Sequence, residues 1–161
     1  MLSRVLTFAA CALASLVLVA PADASAKVGR HGRVGGGWDL PAAGQPGHAR
    51  GVLFNEDALP VLELTALIRE HASLGVPGRR GGLAGVLETL PDATGFQQTI
   101  AIVRGRWIAD PHGDGYYEAV FLQPNGLGGL RVIGGMRGAF DDDPPGPPNT
   151  VGHFKGKWAA H

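Results

Sequence analysis

From Gly82 to the C-terminus the chain carries five runs in which apolar and polar residues alternate: GLAGVLETL, QQTIAIVRGRWIA, GYYEAVFLQ, GLRVIGGMRGAF and VGHFKGKWAA. A period of two is what a strand with one buried and one exposed face requires. The runs are separated by the short turn-rich segments PDATG, DPHGDG, PNG and DDDPPGPPN. Connections this short allow hairpins and exclude the longer crossovers of a parallel sheet. The pattern therefore predicts a mainly β fold, an antiparallel meander that curls into a small barrel or sandwich.

All three tryptophans follow a glycine two places earlier, as Gly36-x-Trp38, Gly105-x-Trp107 and Gly156-x-Trp158, and so does Phe140 in Gly138-x-Phe140. Residues i and i+2 of a strand share a face, so these glycines and rings lie together, with Phe154 and, by parity, Val103, Val132, Met136 and Ala160. Glycine leaves a hole that a ring on a neighbouring strand fills, and it lets a sheet curl. This face is predicted to be the core. The alternative is that Trp107, Phe140, Phe154 and Trp158 line a ligand cavity inside a barrel. The Gly-x-Trp unit is a generic feature of curved sheets and resembles that of small exported barrels such as avidins and lipocalins; no family's residues are carried over.

The opposite face carries Arg104 and Arg106 on one run, Arg131 and Arg137 on another, and His153, Lys155 and Lys157 on the last. If these strands are neighbours, Arg104, Arg106, Arg137, Lys155 and Lys157 form a basic stripe suited to an acidic polysaccharide or other anionic ligand. The plainer reading is a solvated outer face partly neutralised by Asp110, Asp114 and Asp141 to Asp143. With 14 Lys plus Arg against 14 Asp plus Glu, the chain has no general attraction for polyanions, and no nucleic-acid partner is expected.

Three further segments complete the organisation. Residues 1–26 read as an export signal, with Arg4, an apolar run of about 16 residues from Val5 to Ala20, and Ala24-Ser25-Ala26 as the cleavage site. That run is short of the roughly 20 residues needed to span a bilayer. The expectation is an exported protein, periplasmic or extracellular, starting at Lys27. Cys11 lies inside the signal, so the exported chain has no thiol chemistry or disulfides. Residues 27–50 read as a glycine-rich arm holding at most one short strand, and 51–161 as a single β-rich domain. Within it, residues 58–74 are predicted as one helix, because Val61, Leu64, Ile68 and Ala72 form a helical stripe between Pro60 and Gly75. Leu62, Leu64, Ala66 and Ile68 also alternate as a strand.

No catalytic constellation stands out. Asp110, His112 and Asp114 imitate the start of a calcium loop, but its twelfth position is Phe121 and not a bidentate glutamate. His31, His48, His71, His112, His153 and His161 stand singly, without metal-ligand spacing. Neither a metal nor a cofactor is expected. Ser73 lacks a nucleophile-elbow context, and GRVGGG lacks the ending of a phosphate loop. The sequence thus predicts an exported noncatalytic β module with a structural or ligand-binding role. Two alternatives accompany it: a small outer-membrane barrel, the one case in which membrane association is expected, and an enzyme with a cavity site that sequence alone does not reveal.

Overall fold

Each alternating run becomes one strand, and the chain before them supplies three more. The computed structural model describes residues 29–40, 45–71, 79–110, 114–143 and 150–161. The signal read at 1–26, Ser73, His112 and the proline-rich segment 144–149 lie outside the described residues. The strands are β1 (His31–Leu40), β2 (Gly47–Phe54), β3 (Pro60–His71), β4 (Arg79–Thr89), β5 (Thr99–Ala109), β6 (Gly115–Pro124), β7 (Leu130–Asp143) and β8 (Thr150–Ala160). Every strand pairs antiparallel with the next, and β8 returns to β1, so the sheet closes as an eight-stranded up-and-down barrel and not a sandwich. Closure leaves no strand edge open to another chain. Eight strands enclose a lumen just wide enough for side chains to fill.

The helix predicted over residues 58–74 is corrected by β3, and the described residues contain no helix. Leu62, Leu64, Ala66 and Ile68 point inward and are buried, while Thr65, Leu67 and Arg69 face out. Helix propensity is a weak preference per residue, and pairing on both sides with β2 and β4 overrides it. Pro60, which has no N–H for a ladder, sits at the first position of the strand.

The segment read as a glycine-rich arm also belongs to the barrel: β1 is ten residues long, and β2 opens at Gly47. Gly35, Gly36 and Gly37 hide the alternation because they carry no side chain, yet their backbone pairs with β2 on one side and β8 on the other. Val34 and Trp38 are the inward residues that remain visible. Val132 is a third correction. It is 53 % exposed and not on the core face, because a register shift at Phe121/Leu122 in the β6–β7 ladder ends the simple parity there.

The registers explain the glycine–ring pattern. Seven aromatic rings stand directly opposite a glycine on the adjoining strand: Trp38 opposite Gly152, Trp107 opposite Gly81, Tyr117 opposite Gly138, Phe121 opposite Gly134, Phe140 opposite Gly115, Phe154 opposite Gly36 and Trp158 opposite Gly32. A Cβ at Gly32 would lie 2.9 Å from Trp158 Nε1, one at Gly152 2.7 Å from Trp38 Nε1, and one at Gly156 2.6 Å from the Tyr117 hydroxyl. At these positions the Cβ would also meet a backbone carbonyl, of Phe54, Asp141 and Arg137 respectively, so they admit glycine alone. Large rings thus fit a narrow lumen because the adjoining strand is locally thin. The half nearer the β2–β3, β4–β5 and β6–β7 connections is filled by Leu53, Leu62, Leu87, Val103, Phe121 and Trp158, all buried.

Candidate functional site

The inner and outer faces of the barrel are the two places where the sequence puts a ligand. Inside, the rings of the other half make edge-to-face contacts: Trp38 with Phe140 at 5.8 Å between centroids, Trp107 with Phe140 at 6.1 Å, and Tyr117 with Phe154 at 5.6 Å. Such pairs are a favoured aromatic packing geometry. They leave a cavity of about 50 Å³, lined by Leu64, Trp107, Tyr117, Met136, Phe140 and Phe154 among others. An apolar cavity that admits benzene measures about 150 Å³. The inner face is therefore mostly packed core. Trp107, Phe140 and Phe154 line what space remains, whereas Trp158 lies in the filled half and donates its indole N–H to the Phe54 carbonyl at 2.9 Å.

No charged or imidazole side chain is buried among the described residues. Trp38 Nε1, Trp107 Nε1 and the Tyr117 hydroxyl are buried without a hydrogen-bond partner. Each sits against a glycine of the adjoining strand, so these atoms are pressed onto the barrel wall and do not converge on one point in the lumen. Burial pushes the Tyr117 phenol well above the usual tyrosine range. At the mouth, Arg79 holds Glu70 through two bonds of 2.8 and 3.0 Å, and this contact lowers the Glu70 carboxyl.

Outside, the ladder brings the predicted cations together. Arg106 on β5 stands opposite Glu118 on β6, Glu118 opposite Arg137 on β7, Arg137 opposite Lys157 on β8, and Lys157 opposite Arg33 on β1. Neighbouring strands are spaced by about 4.8 Å, so this row runs roughly 19 Å around the wall. Arg106 and Glu118 form an ion pair. Arg33, Arg104, Arg137 and Lys157 have no described carboxylate in ion-pair reach. Three cations directly side by side repel one another, and such pairs destabilise a sheet.

The next row along the strands reads Arg104, Val120, Gly135, Ala159 and His31. Its small central residues form the floor of a surface depression bounded by Arg104, Arg106, Arg137 and Lys157, with His31 and His161 toward one end. Lys155 lies on the other side of the cationic row, opposite Ala139 and Gly35. Arg131 is exposed near the start of β7 and donates to Gln123 at 3.5 Å. His153 lies farther along, where its N–H donates to Asp141.

All five predicted cations are thus exposed on one wall. Sequence reasoning missed two members of the row. Glu118 was readable from the alternation of GYYEAVFLQ; Arg33 was not, because only closure of the barrel sets β1 beside β8. Among the described residues no three His, Cys, Asp or Glu side chains gather as a metal site would require. Comparison with protein-family models, curated proteins and solved structures finds no match, so geometry alone carries the functional reading.

Proposed function

We propose that the protein is an exported, noncatalytic barrel that holds an anionic polymer, such as an acidic polysaccharide, against the outer wall formed by β5, β6, β7, β8 and β1. The observation that carries this reading is the run Arg137–Lys157–Arg33, three like charges on adjacent strands with no described partner. Their mutual repulsion is relieved when carboxylate or sulfate groups lie between them. Arg104 widens the positive surface, and Gly135 and Ala159 let an extended chain approach the backbone. Anions repeated along a polymer match the strand spacing better than one small ligand does.

The interior weighs against the cavity readings. A residual space of about 50 Å³ without a converging acid, base or nucleophile suits neither a bound metabolite nor a reaction. The cationic row also weighs against an outer-membrane barrel, because an Arg or Lys facing lipid near the bilayer midplane costs about 2 to 4 kcal/mol.

The chain from residue 27 contains all eight strands and is suitable for the test. Titration with an acidic and with a neutral polysaccharide is expected to give binding to the acidic one alone. Affinity should fall steeply between 0.1 and 1 M salt, as the Debye length shrinks from about 10 to about 3 Å. Preference for the neutral polymer without a salt effect would remove the proposal.

A further inference from the structure

At one end of the barrel, three hairpin loops are built by the same device. In the β2–β3 loop, Asn55 Oδ1 accepts the N–H groups of Asp57 at 3.0 Å and Leu59 at 2.9 Å. In the β4–β5 loop, Asp92 Oδ1 accepts those of Thr94 at 2.7 Å and Phe96 at 3.0 Å. In the β6–β7 loop, Asn125 Oδ1 accepts those of Leu127 at 2.9 Å and Gly129 at 3.0 Å. The fourth residue of each loop takes a left-handed backbone: Ala58 at φ 58°, Gly95 at φ 82° and Gly128 at φ 80°. A backbone bond from the first residue's N–H to the fifth residue's carbonyl closes every loop. The side chain of the first residue therefore replaces the pairing that the turning backbone gives up.

These rigid loops display apolar side chains. Leu127 is 92 % exposed, Phe96 66 % and Leu59 58 %, the three most exposed large hydrophobic residues among those described, one on each loop. Single exposed apolar residues are common on protein surfaces, but here one stands on each of three rigid loops at a shared end. The route of the chain bears on the occupant. Gly29 enters β1 beside Asn55, so the N-terminal apolar run Val5–Ala20 is joined to the barrel at this same end. Residues 21–28 span at most about 28 Å when extended, so on the export reading this is the end that stands nearest the bilayer until the signal is cut after Ala26.

We infer that this end docks on a lipid surface, with Leu59, Phe96 and Leu127 inserted at the headgroup–acyl boundary. Three separate tips suit insertion into a fluid interface, whereas a protein partner needs a continuous complementary patch. Charge contributes little: Arg30 and Arg131 flank the loops, but Glu56 and Asp57 oppose them, and the Asp92 carboxylate is occupied by its own loop. The apolar term dominates, so docking does not require anionic lipid. This distinguishes it from binding at the cationic wall.

The test is co-sedimentation of the chain from residue 27 with phosphatidylcholine vesicles, at low and high salt. Binding is expected at both. Leu59→Ser, Phe96→Ser and Leu127→Ser should each weaken it, by roughly tenfold where the side chain inserts fully, and the triple variant should abolish it while its melting temperature stays close to that of the parent. Arg137→Gln/Lys157→Gln should leave it intact. No vesicle binding, binding that survives the triple variant, or binding that needs anionic lipid and fails with Arg137→Gln/Lys157→Gln would each overturn the inference. Concentration-dependent dimerisation abolished by the triple variant, without vesicle binding, would assign the surface to a second copy of the chain and overturn it equally.

Discussion

The inner and outer faces of β5 through β8 and β1 come from the same strands, residue by alternate residue, yet they answer to different physics. Inside, every large ring has a facing glycine, and the fit tolerates no added atom at several of them. Outside, three cations stand in register with nothing described between them. Packing explains the first arrangement completely, since rings of this size fill an eight-stranded lumen only against a thinned wall. Stability does not explain the second, because like charges in direct opposition cost free energy. The contrast is the reason the proposed ligand site is sought outside the barrel.

The comparison breaks most readily at the inner face. Trp158→Ala removes a buried ring and its bond to the Phe54 carbonyl, and should cost about 3 to 5 kcal/mol in denaturant unfolding. Gly156→Val places atoms where the Tyr117 hydroxyl and the Gly138 backbone already lie, and should cost about 1 to 3 kcal/mol through overpacking. A smaller effect of opposite sign is expected at Tyr117→Phe. The deleted hydroxyl is buried without a partner, so the change should be neutral or stabilising by up to about 1 kcal/mol.

The same variant sharpens the picture through pH. The folded-state pKa of Tyr117 lies above that of the unfolded chain, so its contribution is fully present below about pH 10 and is lost as the unfolded phenol ionises at higher pH. Chemical unfolding between pH 8 and 11 should therefore show a steeper alkaline loss in the parent than in Tyr117→Phe. On the outer face, Lys157→Ala should change stability by no more than about 0.5 kcal/mol, with a stabilising sign if relief of repulsion prevails. Comparable losses at Trp158 and Lys157 would dissolve the distinction between the faces.

Much of the fold was legible because alternation survives wherever side chains are present to record it. The five C-terminal runs became β4 through β8, and the parity of Trp107, Phe140, Phe154 and Trp158 placed them inside. Legibility failed where a second signal competed or none existed. Residues 60–71 carry helix-favouring Leu, Glu, Ala and Arg, and only pairing on both sides makes them a strand. Gly35 to Gly37 record no face at all, which concealed β1 and with it Arg33. The basic wall was readable as parity on separate strands, but its order around the barrel depends on closure, a long-range fact. The three asparagine and aspartate loops were visible only as turn-rich text, since their shared geometry lies in side-chain bonds to the backbone.

The most direct measurement is amide and indole NMR of the chain from residue 27, titrated with an acidic oligosaccharide at low salt. The three tryptophan indole N–H groups report the interior, and the backbone amides of Arg33, Arg104, Arg137 and Lys157 report the wall. The account predicts shifts at those wall amides that disappear at 1 M salt, with the indole signals of Trp38, Trp107 and Trp158 unmoved. Shifts concentrated at the Trp38 and Trp107 indoles, with the wall amides silent, would place the ligand inside the barrel and contradict it.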